Sequence, residues 1–285
     1  MKKIFHIVGA GSVGQTFAAL LSRHPDWQLS HIISNSLPPN AFGATVLADM
    51  TDLPPADVVI IATPDNAIEA TAERLAREVE LSPQTLVLHL SGAQTIQVLQ
   101  AVTAQGALAG SLHPVISFAN VEHSVAHLAG NLCAIEAEQA QAVEILQQLA
   151  NALGLTAFVM PSEYKARYHA ALSAASNFSV ALAAFAQNLL VPLALPETLS
   201  RRLIGSLMQQ SIDNLGSLPP LQALTGPIVR GDDSTVAAHL AAMTAEEQAA
   251  YRVWAQMTLN LAAARLDKQS VEKVQAVLNS GIKSV

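Results

Sequence analysis

From Ile4 to Val8 the chain is apolar apart from His6, a glycine-bearing turn follows, and Ala18, Leu20 and Leu21 then recur at helical spacing. The pattern predicts a strand, a tight turn and a helix over residues 15–22. Short apolar runs return at 29–33, 57–63, 85–90, 107–111, 131–135 and 156–160, each predicting a strand, with helices starting near residue 66 and spanning 138–153. The run 57–63 shows no alternation, as expected of a strand in a parallel sheet covered by helices on both faces. After Pro161 the strand signals stop. Phe178, Leu182, Phe185 and Leu189 form a stripe at helical spacing in an Ala- and Leu-rich remainder, predicting a buried helix over 178–195. Gln187, Asn188 and Pro192 disqualify that stretch as a membrane span. The chain is therefore divided into an α/β domain with a mostly parallel sheet, residues 1–160, and an all-α domain, residues 161–285.

Composition narrows the classes of partner. Of 285 residues, 51% are hydrophobic and 13% charged, with a net charge of −7, so no basic face is expected for a nucleic-acid backbone. The single cysteine, Cys133, allows no internal disulfide or thiolate metal site and fits a reducing compartment, so the cytoplasm is expected. The opening Met-Lys-Lys imitates a secretory signal, but His6 and the glycines break the apolar run. His123 and His127 stand at metal-ligand spacing without an evident third ligand, and no metal is expected.

The turn itself carries the first candidate chemistry. Gly9, Ala10, Gly11, Ser12, Val13 and Gly14 spell G-x-G-x-x-G between a predicted strand and a predicted helix. Such a turn brings backbone N–H groups and the positive end of a helix dipole to the diphosphate of a dinucleotide. After the second strand stand Ser34, Asn35 and Ser36, where NAD-binding chains usually carry an acid for the ribose hydroxyls. Their hydrogen-bond donors suit a 2′-phosphate, which leans the reading to NADP, with NAD as the alternative. Ala62, Thr63 and Pro64, then Ser91 and Gly92, fall at the carboxyl ends of later strands, where open α/β sheets bind ligands. Asp65 reads equally well as a helix cap.

Two groups compete as proton donor. His113 follows a predicted strand and precedes Pro114, and its ordinary pKa lies near neutrality. Lys165, His169, Ser173 and Asn177 follow one another at i, i+4, a polar stripe on an otherwise apolar helix. A lysine so placed protonates a carbonyl oxygen, binds a substrate carboxylate, or is merely solvated in the first turn. Thr225 and Arg230 lie in a glycine-flanked loop suited to gripping a carboxylate, or to tying a turn through Arg230 and Asp232.

Val8-Gly-Ala-Gly-Ser-Val-Gly14, Ser111-Leu-His-Pro114, Tyr168-His-Ala-Ala171 with Ala175-Ser-Asn177, and Leu224-Thr-Gly-Pro227 with Arg230-Gly-Asp232 together resemble a family of Rossmann-like proteins whose C-terminal helical domain has no known function. The resemblance spans nearly the whole chain. It implies an NADP-dependent oxidoreductase, similar to an alternative type of ketopantoate reductase and, more distantly, to pyrroline-5-carboxylate reductase and the 6-phosphogluconate and β-hydroxyacid dehydrogenases. It also implies a homodimer packed through the helical domains, with the active site in the interdomain cleft. In the ordinary ketopantoate and β-hydroxyacid enzymes a helix lysine is followed four residues later by Asn; here Lys165 is followed by His169.

The expectation from the sequence is a cytoplasmic NADP(H)-dependent oxidoreductase acting on a small carboxylate-bearing oxo or hydroxy substrate, ketopantoate being the named guess. Lys165 or His113 is the expected proton donor, His169 and Asn177 orient it, and Ser173, Thr225 and Arg230 bind substrate. The alternatives are a module that senses NADP(H) without turnover and a purely structural dimerisation protein.

Overall fold

The computed structural model describes residues 1–281. In chain order its first part comprises β1 (Lys3–Val8), α1 (Ser12–Leu21), β2 (Trp27–Ile33), β3 (Thr45–Leu47), β4 (Val58–Ile61), α2 (Ile68–Glu78), β5 (Leu86–His89), α3 (Gln100–Thr103), β6 (Leu108–Pro114), α4 (Val121–His127), β7 (Leu132–Glu136), α5 (Ala140–Ala152) and β8 (Thr156–Val159). These strands form one sheet in the order β3-β2-β1-β4-β5-β6-β7-β8, parallel except where β7 runs against β6. Phe5 and Ile7 point to one face, packing in a cluster with Phe17 and Leu21 of α1 and Leu146 and Leu149 of α5. Val8, Val59 and Ile61 point to the other, clustered with Ile68 and Leu75 of α2 and Val102 of α3. Burial on both faces is why these strands read as unbroken apolar runs.

Local chemistry moves several boundaries. Helix α1 starts at Ser12, ahead of the expected residue 15, because Gly11 takes the N-cap position with extended backbone. Strand β6 runs on to Pro114, so His113 lies within the strand and not after it; pairing of His113 with Ala134 and of Pro114 with Cys133 on β7 extends it. The edge strand β3, unexpected from the sequence, pairs with His31 to Ile33. In the polar stretch after β6, the Asn120 side chain accepts the backbone N–H of His123 at 2.8 Å and starts α4.

The remainder is helical: α6 (Lys165–Asn188), α7 (Glu197–Leu215), α8 (Pro220–Ala223), α9 (Asp233–Ala241), α10 (Ala245–Ala262) and α11 (Lys268–Asn279). The chain divides into two compact units, Met1–Ser176 and the residues from Asn177 onward, so that the N-terminal part of α6 counts with the sheet. In the second unit Ile228, Val236, Ala255, Leu259, Val274 and Leu278 form the core. Thr244 and Glu247 close a reciprocal cap on α10, and Arg252 donates to the carbonyls of Val277 and Leu278 at the end of α11, where the helix dipole favours a cation.

The expected buried helix over 178–195 is a correction. Phe178 is 54% and Val180 70% exposed, while Leu182, Phe185 and Leu189 of the stripe are half-buried. By length and composition alone the helical stretch Ser162–Leu193 is long and apolar enough to cross a membrane, with one 18-residue window of mean hydropathy 1.3. Its first turns, however, carry an ion pair and an imidazole docked on the sheet.

Candidate functional site

The turn between β1 and α1 is held shut on one side and open on the other. Gly9 has φ +101°, and a Cβ there would lie 2.7 Å from the carbonyl oxygen of Ala62. A Cβ on Gly14 would lie 2.5 Å from the oxygen of Gly9, so α1 sits directly on the turn. Around Gly11 there is open space, and no side chain caps the N-terminus of α1. The helix therefore offers the backbone N–H groups of Ser12, Val13 and Gly14 to an anion. At the end of β4, beside Gly9, the Thr63 hydroxyl is buried without a hydrogen-bond partner. Following β2, the Ser34 hydroxyl accepts the N–H groups of Ser36 and Leu37 at 3.1 and 3.3 Å, shaping a turn from which Asn35 and Ser36 face solvent.

A second group lies where β5, β6 and α6 meet. Ser91, buried, donates its hydroxyl to Asp65 at 2.7 Å and accepts the N–H groups of Ala93 and Gln94. Asp65 thus holds the β5 turn and does not cap the helix after β4. Next to Ser91 is Gly92, where a Cβ would stand 2.6 Å from Nε2 of His113 and 2.8 Å from Nδ1 of His169. Two imidazole nitrogens from different elements therefore converge on one bare backbone position. The Nδ1 of His169 is buried without a hydrogen-bond partner. The Nδ1 of His113 bonds the Tyr168 hydroxyl at 3.0 Å.

Burial, reinforced by the charges of His169 and Lys165, lowers His113 to about 4, so its ring is neutral at neutral pH. Burial raises Tyr168 to about 12, which keeps its proton on. His89 on β5, lowered to about 3 by burial and then by Lys165, is also neutral; its Nδ1 accepts the N–H of Ser91, which leaves Nε2–H to donate to Thr95.

Lys165 does not stand in solvent. It is 1% exposed and its ammonium donates to Ser111 and to Glu136, each at 2.5 Å. Glu136, 3% exposed, also accepts the Ser162 hydroxyl at 2.7 Å and the N–H of Ile96 at 3.1 Å. Burial alone would raise its pKa, but the hydrogen bonds from Lys165 and Ser162 hold the carboxyl below its ordinary value. The same burial draws Lys165 below the usual lysine value. With its ammonium turned into this pair, Lys165 is not a solvated first-turn lysine.

The rest of the expected stripe spreads out. His169 shares the face of Lys165, Ser173 is half-buried, and exposed Asn177 opens the second unit. Thr225 and Arg230 belong to that unit too. There Asp232 caps α9, accepting the backbone N–H of Thr235 at 3.0 Å and its hydroxyl at 2.6 Å. These bonds, ahead of the Arg230 charge, take Asp232 down to about 2. The rings of His123 and His127 stack at 4.2 Å, and Nδ1 of His127 is bonded to the His123 carbonyl. Sequence reasoning overlooked Glu136 and His89, which sit in apolar strands; its only hint of Tyr168 was that residue's place in a motif.

Residues 2–114 match the family description of a Rossmann-like domain, and residues 131–258 that of a domain of unknown function, DUF2520. Each match covers less than half of the chain, and the fold itself shows a Rossmann-like first part followed by a helical one. Among solved structures it is similar to a protein from Bacteroides fragilis described as a candidate NADP oxidoreductase, with 20% identity over 92% of this chain and 98% of that one and a TM-score of 0.73. It is similar as well to a Thermotoga maritima protein, TM1727, with 24% identity over 98% and 100% of the two chains and a TM-score of 0.63. A Plasmodium falciparum pyrroline carboxylate reductase with NADP bound shares the fold at 11% identity, over 97% and 98%, with a TM-score of 0.63. No curated protein matches the chain.

Proposed function

We propose that this protein is a cytoplasmic NADP(H)-dependent oxidoreductase whose reacting centre is the pair His113 and His169 beside Gly92. The observation that carries the reading is the convergence of Nε2 of His113 and Nδ1 of His169 on a position where no side chain intervenes. The fit of the dinucleotide rests on the open face of Gly11, the uncapped helix behind it and the orphaned Thr63 hydroxyl. Ser12, Val13 and Gly14 would hold the diphosphate, and Ser34, Asn35 and Ser36 the 2′-phosphate. The bound nucleotide supplies the hydride.

The chain's own residues supply polarisation and a proton. A Tyr168 hydroxyl donating to Nδ1 of His113 leaves the ring proton on Nε2, the atom at Gly92. His113 then acts as a neutral hydrogen-bond donor to the substrate's carbonyl oxygen, and His169 carries the proton that the new hydroxyl takes up. The proposed substrate is a small oxo or hydroxy compound bearing a carboxylate, with ketopantoate the first to test. With Lys165 committed to Glu136, Ser173, one helical turn beyond His169 on α6, is our candidate to bind that substrate. The exposed apolar side chains of Val180, Leu207, Ile212, Val253 and Met257 support a homodimer through the helical region.

Single-turnover oxidation of bound NADPH across a panel of 2-oxo acids tests the reading. The expected result is loss of nicotinamide absorbance with at least one compound, and its near-disappearance in Gly92→Ala. One observation favours a second reading, a sensor of NADP(H) without turnover: a neutral His113 and a sequestered Lys165 are both weak acids at neutral pH. Tight NADPH binding with no absorbance loss across the panel would select it.

A further inference from the structure

We propose that Glu136 and Lys165 are positioning residues, a buried clamp that sets His169 against His113 over Gly92. The proposal rests on the reading of that cluster as the reacting centre.

Spacing is the first argument. Lys165 and His169 are four residues apart on α6, a rise of about 6 Å. Ser111 and His113 are two apart on β6, a rise of about 6.6 Å. Helix and strand therefore meet in two matched rungs, Lys165 with Ser111 and His169 with His113. Fixing the first rung fixes the height of the second.

The partners of Glu136 are the second argument. It stands on β7 directly opposite Ser111 in the β6–β7 register, and one oxygen takes both the Ser111 hydroxyl and the Lys165 ammonium. The other oxygen takes the Ser162 hydroxyl, in the turn that leads into α6, and the N–H of Ile96, in the segment that follows Gly92. One carboxylate thus joins the three segments that supply His113, His169 and Gly92.

The third argument is energetic. A buried ion pair commonly contributes no more stability than apolar or neutral groups of the same shape would, because desolvation offsets the attraction. Stability alone gives little reason for two charges here, whereas a carboxylate with four donors holds one geometry.

The test is the double variant Glu136→Gln/Lys165→Met, which removes both charges and leaves neither unpaired. Three readouts are compared with the parent: thermal stability, NADPH affinity, and pH titration of the His113 and His169 imidazole NMR signals. Stability and affinity are expected to stay close to the parent while the two imidazole titrations shift. Turnover, where the parent has it, is expected to fall on the order of a hundredfold in kcat with little change in KM, the cost of misplacing a reacting group by about 1 Å. A folded double variant whose imidazoles titrate as in the parent would overturn the proposal. The titrations need no substrate, so a failure of the oxidoreductase reading shows separately, as a parent that binds NADPH without oxidising it. Should the double variant not fold, Ser162→Ala removes only one donor to Glu136. It is expected to move the His169 signal, and an unmoved signal would refute the clamp.

Discussion

The glycine turn and the histidine cluster both lie in the sheet-bearing unit, and they are built by opposite means. The turn uses consecutive residues, 9 to 14, and works through backbone: Gly9 and Gly14 are needed because a Cβ would strike Ala62 or Gly9 itself. The cluster draws Gly92, His113, Glu136 and the α6 pair Lys165 and His169 from four separate segments and works through side chains whose meeting depends on strand register and helix docking. The first is local chemistry, the second tertiary geometry. It follows that the turn should fail all at once, while the cluster should fail by degrees.

The largest effect is expected at the turn. Gly9→Val forces a β-branched residue into φ +101° and a Cβ into the Ala62 carbonyl. A loss of about 4 kcal/mol or more follows, a fall in Tm on the order of 10 °C for a chain of this size, together with loss of NADPH binding. A variant with parental Tm would break the comparison at once.

Next comes the clamp's charge. Lys165→Met alone leaves Glu136 buried without its cation, and a destabilisation of roughly 3–5 kcal/mol is expected in denaturant unfolding. Restoring stability by adding Glu136→Gln would show that the unpaired charge, not lost packing, is the cause.

The pH dependence is smaller and has a definite sign. His89 and His113 have folded pKa values of about 3 and 4, below the ordinary 6.5, so the unfolded chain binds their protons first. Stability is therefore full above about pH 6.5 and falls as pH drops toward 4, by roughly 1.4 kcal/mol per pH unit for each fully buried group. Below that, Glu136, held under its ordinary pKa by Lys165 and Ser162 against the cost of burial, adds its own loss as it protonates. In Tm measured against pH, His89→Gln should show a shallower slope between pH 6.5 and 4; an unchanged slope would mean that His89 is not buried neutral.

The smallest effect is expected at the β2 turn. Ser36→Asp places a carboxylate where the 2′-phosphate is proposed to lie, and NADPH affinity measured by titration should fall about tenfold, or roughly 1.4 kcal/mol, with NADH affinity little changed. Equal losses for both coenzymes would remove this turn from phosphate recognition.

The legibility of the sequence follows the same division. Strands covered on both faces announce themselves as apolar runs, and the glycine turn announces itself by spacing, so the Rossmann-like half was readable from residues alone. His113 and His169 were legible as candidates, but their meeting at Gly92 was not, because β6 runs on past residue 111 only through its pairing with β7. Lys165 was legible as an odd polar group on an apolar helix, whereas its partner was hidden: Glu136 ends an apolar strand and is opposite Ser111 by antiparallel register, which no local pattern encodes. The stripe of α6 misled for a related reason. Helical periodicity reports an apolar face, not what covers it, and here Phe178 and Val180 are exposed.

The most direct test is a crystal structure with NADPH bound. The account predicts the diphosphate on the N–H groups that open α1 and C4 of the nicotinamide facing the gap above Gly92, within reach of Nε2 of His113 and Nδ1 of His169, with Lys165 still paired to Glu136. A nicotinamide lying away from both imidazoles, or a Lys165 released from Glu136 to meet the ring, would contradict it.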